Sequence, residues 1–517
     1  MSQLAKLYAG PLQAGFEFNT IRGRFLIDGL CMTVFGPRPC VALVLLAAAV
    51  FPAGALELED CRISAGPAFP GIKARCGEFE RPLNPEDPAA GSIGLRVAVV
   101  PALDLEPEPD PVVPLAGGPG QGAVQFYAAY AGAFEALRRD RDILLVDQRG
   151  TGESAVLTCP TDESLLQGEL TDEQTLELTA ACLDELPHDP RFFTTSVAVR
   201  DLEAVRDALG YPSLNLYGVS YGSRVAQHYA RRFPATTRSI VLDGVVPPDL
   251  PLGPDIALEA QYAVDNLLAR CEEDAACGEA FPDIAETFEA LKRQLTVDPV
   301  ELTMADPVSG SYERIRFGNV EFAAAIRLMA YHPNTIALIP LLVHAAGEGN
   351  YEPLARQYLM TTRSIGDSIA IGMHNAVMCT EDVPRYAPAA LDAAALDATY
   401  MGSLLVDTME TVCSVWPEGL ADEDLTQPLE TSIPTLLLSG GADPITPPGY
   451  ATRAAAGLRR AWLLTGVDQG HGQLAVGCTP DVVAGFVASA ALEDGAAECI
   501  DDSFVMPFFL SFSGPSP

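Results

Sequence analysis

The stretch NLYGVSYGSRVAQHYARRFP, residues 215–234, sets a serine between two glycines where a short apolar run meets an amphipathic helix pattern. Small residues on both sides of Ser220 allow a sharp turn from strand to helix, which lifts the hydroxyl toward solvent. A plainer reading makes Ser220 a helix N-cap whose oxygen accepts an orphan backbone N–H. Its neighbours constrain the fold further. From about residue 92, the apolar runs LRVAVV, VVPLAGG, DILLVDQ and LNLYGVS alternate with helical patterns such as SVAVRDLEAVRDALG. Strands alternating with helices predict an α/β architecture with a mostly parallel sheet covered on both faces. Val225, Ala226, Tyr229, Ala230 and Phe233 recur at helical spacing, so the helix after Ser220 has a face to bury on that sheet, and Pro234 ends it.

Beyond Asp249 the texture changes to long helical stretches, ALEAQYAVDNLLARCEEDAACGEAF and VEFAAAIRLMAYHP among them, with few strand candidates before PTLLLSGGADPITPP. The alternation resumes with RAWLLTGVDQGHGQL and the helix PDVVAGFVASAAL. The expected organisation is a core in two segments, 56–249 and 431–517, with a helical cap inserted over 250–430. Residues 1–55 are expected to be a signal peptide: Arg38 precedes a short apolar core that ends in the small residues Ala53-Gly54-Ala55. That apolar run is too short to favour a membrane span, so no stable membrane insertion is expected after processing. Met32 offers a better-proportioned start than Met1.

Cysteine usage points the same way. Of 12 cysteines, Cys31 and Cys40 fall in the leader, and the other ten form the even set that an oxidising compartment keeps. Pairs in sequence order are expected, namely Cys61–Cys76, Cys159–Cys182, Cys271–Cys277, Cys379–Cys413 and Cys478–Cys499, although sequence alone leaves other connectivities open. The expected location is periplasmic or extracellular. With 69 acidic against 32 basic residues and a net charge of −37, nucleic acid is excluded as a partner, because phosphate binding needs concentrated Lys and Arg. No CxxC, HExxH or His/Cys cluster with metal spacing occurs, so neither a metal nor a cofactor is expected.

A serine hydroxyl is a weak nucleophile; it needs a general base, an acid that orients the base, and N–H donors for the oxyanion. His471 lies in a glycine-flanked loop after the last strand, while His228 on the following helix and His344 in the cap suit packing or surface roles. Two aspartates compete for the orienting position, Asp243 after SIVLDG and Asp443 after TLLLSGGADP. Asp443 is favoured because acid and base then sit on the loops of the final strand pair, in the order Ser, Asp, His. LAGGPGQG, residues 115–122, lacks the Lys-Ser/Thr ending of a phosphate loop. Its glycines let backbone approach a ligand, so the N–H groups of Gly118 and Tyr221 are the candidate oxyanion hole.

Taken together, AGGPGQG, DQRGTGES, YGVSYGSRVAQHYARRFP, VLDGVVPPD and SGGADPITP followed by GHG resemble the secreted prolyl and tripeptidyl aminopeptidase group of α/β-hydrolases. Ala116 departs from it, standing where prolyl aminopeptidases usually carry histidine. The resemblance implies an α/β-hydrolase fold, a triad of Ser220, Asp443 and His471, oxyanion donors Gly118 and Tyr221, and peptide substrates cut from a free N-terminus. Asp147 and Arg149 in DQRGTGES match a recurrent loop and read as structural, with Gly150 and Gly152 making its turn. Glu381 and Asp382, in HNAVMCTEDVP, are expected to face the site from the cap and pair with the substrate ammonium. A carboxylesterase with the same triad and a catalytically inactive binding module are the competing functions, and the oligomeric state is left open.

Overall fold

The expected strands form as β3 (Ser92–Val100), β4 (Glu108–Leu115), β5 (Arg141–Val146), β6 (Leu214–Val219) and β7 (Thr237–Asp243), preceded by two that the sequence reading did not anticipate, β1 (Glu59–Ile63) and β2 (Ile72–Pro82). The structure is a computed structural model that describes residues 56–515 apart from 67–68, 160–169, 308–309, 367, 387–391 and 502. The expected signal peptide lies outside those residues. After the cap come β10 (Thr435–Gly440) and β11 (Ala461–Gly466), the cap itself holding β8 (Val300–Ala305) and β9 (Tyr312–Phe317). One nine-stranded sheet runs in the order β1-β2-β3-β5-β4-β6-β7-β10-β11. From β5 to β11 all neighbours are parallel, whereas β1, β2 and β3 extend one edge antiparallel. This is the mostly parallel sheet that the apolar runs predict.

Side chains alternate across the sheet, and both faces are buried. Leu216 and Leu437 point into one apolar cluster, with Val199, Leu202 and Val205 of α1 (Thr195–Leu209) and Val225 and Tyr229 of α2 (Tyr221–Arg232). Tyr217, Val219, Leu436 and Leu438 point into the other, with Phe126, Phe134 and Phe486. Parallel strands deliver their carboxyl ends to one side of the sheet, where open α/β folds place their ligands. Ser220, Asp243, Asp443 and His471 all follow or end such strands.

The cap contains α3 (Ile256–Glu273), α4 (Ile284–Val297), α5 (Asn319–Met329), α6 (Ile339–Gly347), α7 (Glu352–Gly366), α8 (Ile371–Val377) and α9 (Leu404–Cys413). Leu267, Phe288, Phe322, Ile326, Leu342, Leu354 and Tyr400 give it a core of its own. Two features differ from the sequence reading. First, β8 and β9 form an antiparallel hairpin inside the helical block; Met304, Ile315 and Phe317 alternate into the cap core, a period of two within a helix-length stretch. Second, the last residues leave the sheet. Phe508 is buried in the cap core and Phe509 N–H donates to Ala337 O at 3.1 Å. Cap and sheet belong to one compact unit. All five disulfides pair as expected: Cys61–Cys76, Cys159–Cys182, Cys271–Cys277, Cys379–Cys413 and Cys478–Cys499.

Candidate active site

At the end of β6, Ser220 adopts φ 54° and ψ −127°. A non-glycine residue held there costs on the order of 1–3 kcal/mol, and such strain persists only where the surroundings enforce it. The two flanking glycines are what allow the corner. A Cβ on Gly218 would stand 2.3 Å from Gly222 O, and one on Gly222 would stand 2.0 Å from Leu115 O at the end of β4. Ser220 N–H donates to Asp243 O at 2.9 Å, and Ser223 Oγ donates to Ser220 O at 2.6 Å. The Ser220 side chain makes no capping bond to α2. Its hydroxyl is therefore not the helix cap that the plainer reading requires.

The glycine-rich loop lies against this corner. A Cβ on Gly117 would fall 3.1 Å from Ser220 Cβ, so Gly117, unremarked in the sequence reading, is a point of close approach. Gly118 follows with φ 107°. Tyr221 opens α2, so its N–H precedes the first intrahelical bond and is free by position. The Tyr221 ring is fixed below: Thr195 Oγ1 lies 2.6 Å from its hydroxyl and Gln148 Nε2 donates to it at 3.1 Å.

His471 and Asp443 meet at 2.8 Å, Nδ1 to Oδ2. Asp443 is buried and accepts from Ile445 N–H at 2.9 Å, Thr446 N–H at 2.9 Å and Thr446 Oγ1 at 2.7 Å. Burial opposes its ionisation, but the His471 charge, the His471 hydrogen bond and the Thr446 donors hold its pKa below the ordinary carboxylate value. An ionised carboxylate only accepts, so the proton of neutral His471 belongs on Nδ1 and its Nε2 lone pair is free. Thr446 Oγ1 also lies 3.1 Å from Nδ1 and braces the pair; the sequence reading passed over it, although it stands three residues after the acid. Tyr331 O accepts from His471 N–H at 2.8 Å, and a Cβ on Gly244 would meet His471 Cε1 at 2.8 Å.

Asp243, the competing aspartate, is held by other donors. It is wholly buried and accepts from Tyr217 Oη at 2.7 Å, Gln473 N–H at 2.8 Å and Leu474 N–H at 2.9 Å, while its carbonyl takes Ser220 N–H. It joins the serine corner to the histidine loop. His228 is likewise internal, Nε2 lying 2.9 Å from Asp422, and burial lowers its pKa to about 4. Asp147 accepts from Val124 N–H and Glu153 N–H at 2.9 and 3.0 Å. Arg149 forms a bidentate pair with Asp201 at 2.7 and 2.9 Å. Both shape the DQRGTGES loop.

Glu381 and Asp382 require a correction. They lie just after α8, and their carboxylates turn inward instead of toward a substrate. Glu381 is 2% exposed and accepts from Thr195 N–H at 2.7 Å and Thr195 Oγ1 at 2.8 Å. Asp382 is 0% exposed and accepts from Arg224 Nη1 at 2.8 and 2.9 Å and from Leu252 N–H at 2.7 Å. Burial, only partly offset by the Thr195 N–H and the Arg224 charge, raises the Glu381 pKa to about 7. These bonds fasten the cap segment to α1 and α2. We expect Asp382→Asn to destabilise the fold by about 3–5 kcal/mol, since it strands the buried Arg224 charge. Denaturant titration at neutral pH measures this, and a loss under about 1 kcal/mol, the worth of an exposed pair, would refute it.

Among the described residues no group of His, Cys, Asp and Glu is placed to hold a metal ion. A family model described as alpha/beta hydrolase fold matches residues 110–276, and one described as TAP-like protein matches residues 398–499. Serine protease Hip1 of Mycobacterium tuberculosis is 29% identical over 272 residues, 48% of this chain and 50% of that protein. Tripeptidyl aminopeptidase of Streptomyces lividans is 26% identical over 245 residues, 42% and 44% of the two chains. Proline iminopeptidase of Xylella fastidiosa is 31% identical over 144 residues, 27% and 33% of the two chains. This chain thus spans half or less of the length of these curated relatives.

Proposed function

We propose that this chain, which has an alpha/beta hydrolase fold and matches a TAP-like family model over residues 398–499, is an exported serine exopeptidase that releases residues or short peptides from free peptide N-termini. Ser220 Oγ attacks the scissile carbonyl carbon as its proton passes to His471 Nε2, and Asp443 stabilises the imidazolium. The carbonyl oxygen, now an anion, is received by the N–H groups of Gly118 and Tyr221. Collapse of the intermediate expels the amine, protonated by His471, and leaves an acyl ester on Ser220. Water activated by the same histidine then releases the acid and restores the serine. The observation that carries this proposal is the buried Asp443–His471 pair, on the same carboxyl edge as a strained, uncapped serine. The Hip1 and tripeptidyl aminopeptidase likenesses favour peptides as substrates, and the five disulfides favour an oxidising compartment.

A carboxylesterase is the second reading, and one observation favours it: the two cap carboxylates expected to hold a substrate ammonium are already engaged. Profiling the purified protein against peptides with free and blocked N-termini, with simple esters alongside, separates the two. Cleavage confined to free N-termini is expected; turnover of esters without any peptide cleavage would replace the exopeptidase with the esterase.

The pH profile supplies a second check. Burial opposes protonation of His471, but the charge and hydrogen bond of Asp443, with a further pull from Asp243, hold its pKa above 6.5. Only neutral His471 can accept the serine proton, so kcat/KM should fall as pH drops through that raised value. We expect the acid limb above pH 6.5; a limb centred below 6 would show that the Asp443 pairing is not felt by the working base.

A further inference from the structure

The cap's α5 ends directly on the histidine loop. Tyr331, just past its last residue, accepts the His471 N–H, and the two rings meet edge to face with centroids 5.2 Å apart. A Cβ on Gly470 would stand 2.4 Å from Tyr331 O, so helix end and loop are in close contact. Arg327 lies one helical turn before Tyr331, on the same side of α5. It is half-buried, and its Nε is shielded from water with no hydrogen-bond partner. Among the described residues no carboxylate pairs with it.

Arg96, Arg224 and Arg231 also carry a shielded Nε without a partner, but each has another hydrogen bond or ion pair on its side chain, and Arg327 has none among the described residues. Acidic residues outnumber basic ones 69 to 32, and the buried arginines, Arg141, Arg149 and Arg224, each hold an aspartate. A buried donor left unmade costs about 1–3 kcal/mol, more beside a charge, so such groups persist where something else completes them. Position says where that completion takes place. The Arg327 charge acts on both His471 and His374. His374 Nδ1 lies 3.2 Å from Pro119 O, in the glycine-rich loop that closes over Ser220. Arg327 is therefore within electrostatic reach of both walls of the catalytic centre. Nearby, the buried Tyr400 hydroxyl, on which the same charge acts, also lacks a hydrogen-bond partner.

We propose that Arg327 is a specificity-determining residue that receives a carboxylate of the substrate at the catalytic centre. This rests on the serine-hydrolase reading of Ser220 and His471. A guanidinium presents a planar fork that matches a carboxylate through two parallel N–H···O bonds. The substrate class it selects is acidic: peptides carrying Asp or Glu near the scissile bond, or short peptides whose own C-terminal carboxylate reaches the fork.

The test measures kcat/KM on matched pairs: peptides with Glu against Gln at each position flanking the scissile bond, and the same peptides with free against amidated C-termini. A third pair, a hemisuccinate ester against its methyl-capped neutral counterpart, reads the same preference if the protein hydrolyses esters only. Wild-type protein should prefer the charged member of one pair by about tenfold or more, as one charge-assisted contact of 1.5–3 kcal/mol gives. Which pair responds identifies the carboxylate. Arg327→Gln should bring that ratio close to one, and Arg327→Lys should restore part of it. A ratio unchanged in Arg327→Gln would overturn the proposal, as would a wild-type protein indifferent to charge in all three pairs. Equal loss on both members of a pair would assign Arg327 instead to tuning His471. If peptides fail while the ester pair still shows the preference, the exopeptidase reading falls and the Arg327 assignment stands.

Discussion

Ser220→Ala should abolish turnover and leave thermal stability almost untouched. The covalent route requires an oxygen at this position, and in triad hydrolases only a residual 10³–10⁴-fold catalysis over water, from binding and the oxyanion hole, survives loss of a triad member. Stability should hold because the hydroxyl caps nothing. Alanine also keeps the same Cβ, so the strained φ of 54° costs the mutant about what it costs the wild type. The expected change is within about 0.5 kcal/mol, the ordinary range for a side chain without special contacts. Measuring kcat and melting on one preparation decides the matter. A variant that keeps a tenth of wild-type kcat would remove Ser220 from the mechanism, and one that unfolds early would show the hydroxyl to be structural.

Asp443→Asn should lower kcat by about 10⁴, the cost known for the equivalent change in a serine-protease triad. The cause is the direction of one hydrogen bond. Asp443 can only accept, so Nδ1 carries the proton and Nε2 keeps its lone pair free. An asparagine amide can instead donate to Nδ1, and His471 then takes the tautomer whose Nε2 is already protonated. Backbone contacts from Ile445 and Thr446 can persist to the remaining amide oxygen, so the fold should survive. Asp243→Asn provides the contrast. Its carboxylate takes Tyr217, Gln473 and Leu474 together, and an amide cannot accept at both ends. We expect that variant to lose stability as well as rate. A reversal, with Asp243→Asn slow but fully stable and Asp443→Asn active, would exchange the two roles.

The parts legible in sequence were those written in local chemistry. Glycines on either side of Ser220 are there because Cβ atoms would collide with Gly222 and Leu115 carbonyls, and that requirement is visible in five residues. Asp443 and His471 follow consecutive parallel strands, so their order along the chain placed them on neighbouring loops. What stayed hidden depends on partners far away. Glu381 meets Thr195 across 186 residues and Asp382 meets Arg224 across 158, and nothing near TED announces either bond. An acidic turn reads as exposed until its cation is found. The β8–β9 hairpin was concealed differently, its short alternation submerged in a block whose helices dominate the periodicity.

The crossing of Phe508 and Phe509 into the cap also sets an order of assembly. Phe508 and Phe509 are made after every strand of the large sheet, so a chain emerging from the ribosome can complete that sheet before these residues reach the cap's core. The helix that carries Arg327 and ends on the histidine loop is built on that same core. A chain cut after Cys499 would keep all three triad residues and lose the Phe508 and Phe509 contacts to the core on which that helix is built.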